Sequence, residues 1–128
     1  MKVRFYQIKN FINIYEKIKD TTLPIKVGYQ LAKLATLCQK EIDIYQIQLN
    51  KLIQEYGARD ENNQLIQTDN GEGIKIKEDK IQECQDKIIE LSNLEIEINI
   101  APISINILEN IELSLDEITN LSPFLSEE

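Results

Sequence analysis

Apolar residues recur at intervals of three and four from Val3 to Lys19, at Phe5, Ile8, Ile12, Tyr15 and Ile18, with Phe11 and Ile14 beside them. That spacing follows the helical turn and predicts an amphipathic helix with a broad buried face. Asp20-Thr21-Thr22-Leu23-Pro24 then ends it, because a hydroxyl there can cap a new helix and a proline is tolerated only in a first turn. From Gly28 to Tyr56 a heptad frame holds without a break. Gly28, Ala35, Ile42, Leu49 and Tyr56 occupy one seam position, and Leu31, Cys38, Tyr45 and Leu52 the other. Leu34, Leu37, Ile44, Ile47 and Ile53 fall outside the seam, so this long helix is expected to pack on more than one neighbour. Gly57 is expected to close it in the left-handed conformation.

Beyond the polar turn Arg59–Asn63, two short runs, Gln64–Thr68 and Ile74–Lys77, flank Asp69-Asn70-Gly71-Glu72-Gly73 and read as a β-hairpin. A third helix is predicted from about Glu78 to Asn93, with Ile81, Cys84, Ile88 and Leu91 in seam spacing, antiparallel to the second. Glu95-Ile96-Glu97-Ile98-Asn99-Ile100 alternates strictly, as a half-buried strand does; Pro102 interrupts it, and Ile103, Ile105 and Ile107 could extend it. A lone strand leaves its main-chain polar groups unpaired, so it is expected to join the hairpin or a strand of a second subunit. Glu95, Ile96, Glu97 and Ile98 therefore form the expected edge for a partner. Ser114-Leu115-Asp116-Glu117 has the form of a capping box and starts a short last helix, after which Phe124 and Leu125 should dock on the core. The expected fold is mainly α (α+β): a long antiparallel helical hairpin, a short β-hairpin, one additional strand and a short C-terminal helix. With no repeat or linker in 128 residues, it is read as a single domain, 1–128.

Charge narrows the function. The formal net charge is −8, with 22 acidic residues against 14 basic ones, which disfavours direct binding to a nucleic-acid backbone. The acids are interspersed with lysines and read as a solvated surface. Lys2, Arg4, Lys9, Lys17 and Lys19 make the first helix basic, an asymmetry that can orient a partner or pair within the fold. No stretch reaches the roughly 20 apolar residues that cross a bilayer, and no signal-peptide run is present, so a cytoplasmic protein without membrane contact is expected.

The chain contains no histidine, which removes the commonest general base, the usual zinc ligand and the Ser-His and Cys-His nucleophile pairs together. Cys38 and Cys84 sit at seam positions, where a small apolar residue is expected, and read as core. Asp60, Asn62 and Gln64 alternate like calcium ligands, but Leu65 stands where that loop needs glycine and Gly71 where it needs glutamate. Gly71-Glu72-Gly73 lacks the lysine of a phosphate loop. Acid pairs such as Asp79 with Glu83 have ordinary helical spacing. No enzyme activity, cofactor or metal is expected. Arg59 and Tyr56, at the end of the second helix, are the candidate ligand-binding residues, because a guanidinium there can hold a phosphate or carboxylate. The bland alternative for Arg59 is a cation near the negative end of that helix.

The order of features resembles a family of small tailed-bacteriophage proteins of unknown function. The resemblance rests on Glu55-Tyr56-Gly57, the turn Asp60-Glu61-Asn62-Asn63, an Ile-Lys-Ile strand, Leu94-Glu95-Ile96-Glu97-Ile98, and Ser114-Leu115-Asp116-Glu117 with Ser122-Pro123-Phe124. It covers roughly residues 25 to 125. The 23 isoleucines and 12 lysines, against two arginines, fit an AT-rich genome such as a phage can have. What the resemblance implies is a context of host takeover or virion assembly. The expected function is that of a non-enzymatic phage accessory protein acting by stoichiometric binding in the host cytoplasm. It would act against host defence by blocking a host protein or sequestering a small nucleotide signal, with a host or phage protein or a small signalling ligand as partner, and as a homo-oligomer. The alternative is a structural or assembly protein of the virion.

Overall fold

A computed structural model describes residues 1 to 126. Its element order is β1 (Lys2–Arg4), α1 (Phe5–Ile18), α2 (Ile25–Tyr56), α3 (Ile81–Ser92), β2 (Glu95–Glu97), β3 (Ile103–Ser104), α4 (Leu115–Leu121) and β4 (Leu125–Ser126), with short 3-10 turns before α3 and on both sides of α4. The expected mainly helical α+β architecture is present, including the helical hairpin, the β-hairpin, the additional strand and the short last helix. The chain forms two compact units. One comprises Met1–Ile42 and the segment from Asn93 onward, and the other comprises Asp43–Ser92.

In the first unit α1 buries Phe5, Ile8, Phe11, Ile14 and Ile18, with Ile12 and Tyr15 half-buried at the margin. The expected helix start at Val3 is corrected: Lys2–Arg4 is a strand, and the helix begins at Phe5. The reason is a partner far away in sequence. β1 pairs antiparallel with β2, with Lys2 across from Glu97, Val3 from Ile96 and Arg4 from Glu95. The strand expected to join the hairpin or a strand of a second subunit thus joins Lys2–Arg4 instead, where a basic–apolar–basic run meets an acid–apolar–acid one and cross-strand charges match. Ile103 and Ile105 do not prolong this strand. Ile103–Ser104 instead pairs in parallel with Leu125–Ser126, and residues 105–110 wind into a 3-10 turn.

The expected capping box holds at α4. Ser114 Oγ accepts from the Glu117 N–H at 3.2 Å, and Glu117 Oε1 accepts from the Ser114 N–H at 2.9 Å. Lys17 of α1 reaches the same carboxylate at 2.9 Å, so one glutamate caps α4 and ties it to α1. Phe124 docks as expected. It is 1% exposed, with its ring 5.1 Å from that of Phe11. Leu31, Leu34, Ala35 and Cys38 of α2 are also buried in this unit.

In the second unit the C-terminal part of α2 runs antiparallel to α3: Tyr56 meets Glu83, and seven residues earlier Leu49 shares a cleft with Ile88. The connection is more than a hairpin. Ala58 N–H donates to Lys75 O (2.7 Å), Lys75 N–H to Ile66 O (2.8 Å), and Ile66 N–H back to Ala58 O (3.0 Å). Three segments therefore close a ring of main-chain bonds, each satisfying the other two. The expected turn lies at its tip, where Gly71 has φ +71° and Thr68 N–H donates to Gly73 O at 2.9 Å.

Gly57 is corrected: it does not adopt a positive φ. It is glycine for space. A Cβ there would stand 2.5 Å from Ile53 O and 2.6 Å from Leu65 Cδ2, where the third segment of the ring crosses the helix end.

Candidate functional site

The thiols are packing groups. Cys38 is 0% exposed, and burial, with Glu41 adding to it, pushes its thiol up to about 12. Burial also raises Cys84. A thiol held protonated is a poor nucleophile. Among the described residues no three His, Cys, Asp or Glu side chains converge to hold a metal. No helix among them is long and apolar enough to cross a membrane.

Tyr56 and Arg59 lie close in sequence but serve different contacts. Tyr56 is buried, and its hydroxyl donates to Glu83 Oε1 at 3.1 Å. Burial first, then that carboxylate, holds the phenol above its ordinary value. The Lys80 ammonium first, and the Tyr56 hydroxyl second, hold Glu83 below the usual carboxylate value. Arg59 turns to the main chain: Nη1 donates to Asn63 O at 2.9 Å, and Nη2 to Gln54 Oε1 at 2.9 Å and Gln54 O at 3.3 Å. The guanidinium thus lies against the carbonyl end of α2, where a cation is favourable.

Glu95, Ile96 and Glu97 form β2, and Ile98 continues from it, buried. Ile98 N–H donates to Met1 O at 2.8 Å, and Phe5 N–H to Leu94 O at 3.1 Å. In an antiparallel pair this register turns the main-chain groups of Leu94, Ile96 and Ile98 toward β1, and those of Glu95 and Glu97 away from it. No further strand pairs with β2 among the described residues, and both glutamates are exposed. The main-chain N–H and C=O groups of two residues are thus presented on an outer edge.

At the C-terminal end of β2 the chain borders a groove of about 650 Å³ in the same unit, with residues 97–103 on one side and Lys26, Tyr29, Gln30 and Lys33 of α2 on the other. Tyr29 is 69% exposed. Two ammonium groups flanking an accessible phenol make one wall basic and aromatic, while on the other the Glu97 carboxylate stands 3.7 Å from the Met1 ammonium. Sequence reading missed this groove. The only signal was the seven-residue spacing of Lys26 and Lys33 on the side of α2 away from its seam, which resembles any solvated face.

The second unit has a different surface. Among the described residues its buried hydrophobic side chains are Tyr56 and Cys84, whereas Leu49, Leu52, Ile53, Ile74, Ile76 and Ile88 are half-buried and Ile44, Ile47, Ile81 and Ile89 exposed. A cleft of about 570 Å³ lies among α2, the hairpin and α3.

Comparison with protein-family models, with curated proteins and with solved structures gives no match.

Proposed function

We propose that this chain is a non-enzymatic accessory protein of the tailed-phage kind that acts by stoichiometric binding, occupying and thereby blocking a host protein. A component of host defence is the partner this reading favours. The observation that carries it is the outer edge of β2 beside the groove, where the main-chain groups of Glu95 and Glu97 are turned outward. Such groups recognise another chain and activate no nucleophile. The chain's lack of histidine and the protonated, buried state of both thiols support the same reading.

The test is affinity capture of the tagged full chain from infected cells. The expected result is a host protein retained at a fixed molar ratio; recovery of the chain with no host protein would count against the proposal. In its small-ligand form, the same reading would use the groove, with Lys26 and Lys33 holding phosphates on either side of Tyr29. Titration with nucleotides, followed by Tyr29 chemical shifts and abolished by Lys33→Glu, tests that form.

A second reading is a structural or assembly role in the virion, favoured by the half-buried aliphatic side chains of the second unit. A fixed copy number of this chain in purified particles would select it.

A further inference from the structure

β2 reads acid–apolar–acid, Glu95-Ile96-Glu97, and the strand it has already taken reads basic–apolar–basic, Lys2-Val3-Arg4. Opposite charges across a strand pair favour pairing, and like charges oppose it. The inner edge of β2 thus shows the charge pattern that a neighbouring strand can carry, because the side chains of Glu95 and Glu97 lie beside both edges. On the outer edge their N–H and C=O groups point away from β1, both side chains are exposed, the Glu97 carboxylate with the Met1 ammonium 3.7 Å away, and no strand among the described residues pairs there. Ile96 is half-buried on the other side of the pleat and leaves contact for one apolar residue of an incoming strand. A second copy of β2 is a poor occupant, since edge-to-edge pairing would bring glutamates against glutamates.

We infer that the outer edge of β2 is a strand-addition site for an extended partner segment that reads basic–apolar–basic, its two cations across from Glu95 and Glu97. This rests on the reading of the chain as a stoichiometric binder and names the chemistry of its partner. Main-chain bonds to Glu95 and Glu97 supply affinity, and the charge pattern supplies selection.

The test uses the full chain and two capped peptides, Lys-Val-Arg-Val-Lys and Glu-Val-Glu-Val-Glu, followed by amide chemical shifts. The expected result is that the basic peptide shifts the Glu95 and Glu97 amides and the acidic one does not. Glu95→Pro removes an outward N–H and no hydrogen bond of the β1–β2 ladder, so it should weaken the basic peptide about ten-fold or more while the Phe5 and Ile96 amides hold their positions. Should that proline disturb β1, Glu95→Gln keeps the backbone donor, sets no like charge across from Arg4, and decides the matter by weakening the basic peptide. Equal binding of both peptides, no shift at Glu95 and Glu97, or unchanged affinity in Glu95→Gln overturns the inference. A host protein captured equally well by Glu95→Gln would overturn it too while leaving stoichiometric binding standing, whereas capture of none by the unaltered chain counts against that broader reading.

Discussion

The hydroxyl of Tyr56 donates to Glu83 Oε1 across 3.1 Å, joining the last turn of α2 to the first turn of α3. The two partners titrate in opposite senses. Glu83 is held below its ordinary 4.5, so its contribution to stability is present above that value and is lost as pH falls through the lower folded pKa. Tyr56 is held above its ordinary 10.0, so its contribution is present below that value and is lost as pH rises through the higher folded pKa. Thermal melts across pH should show a plateau between these limits. Tyr56→Phe should lower the plateau and remove part of the alkaline fall; an identical profile would show that the bond does not couple to folding.

Gly57→Ala should destabilise the protein. The new methyl would meet Ile53 O at 2.5 Å and Leu65 Cδ2 at 2.6 Å, and the first of these is backbone that cannot swing aside. Overpacking of this kind costs about 1–3 kcal/mol, which urea denaturation would resolve. At Gly28, where a Cβ meets nothing within 4 Å, the same substitution should stabilise by up to about 1 kcal/mol through helix propensity.

Phe124→Ala should cost about 3–5 kcal/mol, because it empties a site that is 1% exposed against Phe11 and docks the end of the chain on α1. The check is equilibrium unfolding by urea, with loss of the Phe11 ring contact seen in side-chain NMR. A change under 1 kcal/mol would mean that the last segment contributes little to the first unit.

The cysteines report the two units separately. Neither should react with an alkylating reagent in the folded chain at neutral pH, since Cys38 is 0% exposed and Cys84 2%. Under mild urea Cys84 should be labelled first, because its unit buries little else and local opening there breaks fewer apolar contacts. Mass spectrometry of pulse-labelled protein distinguishes the order, and labelling of Cys38 first would reverse this ranking of the units.

The candidate sites were legible to different degrees. The strand over Glu95–Glu97 was readable as a strand because alternation is a local signal, although its companion was not. Lys2-Val3-Arg4 is too short to show a period of its own, and its apolar residue falls in step with the helix that follows. Arg59 and Tyr56 were readable as residues with binding chemistry, but where each donates depends on groups brought up from elsewhere: Glu83 on α3 for one, Gln54 and Asn63 for the other. The groove beside Lys26, Tyr29 and Lys33 was not legible, because its other wall is residues 97–103.

By itself the sequence determined the helices, the turn at Gly71 and the cap at Ser114, because each depends on residues within a few positions of one another: a heptad sustained from Gly28 to Tyr56, a glycine able to take φ +71°, and a serine three residues before a glutamate. Tertiary structure alone decided which strands pair, why Gly57 must be glycine, and which of the many carboxylates meet a cation or a hydroxyl. Those outcomes turn on main-chain hydrogen bonds and close contacts between segments far apart in the chain, and Val3 across from Ile96 leaves no trace in the spacing of either run.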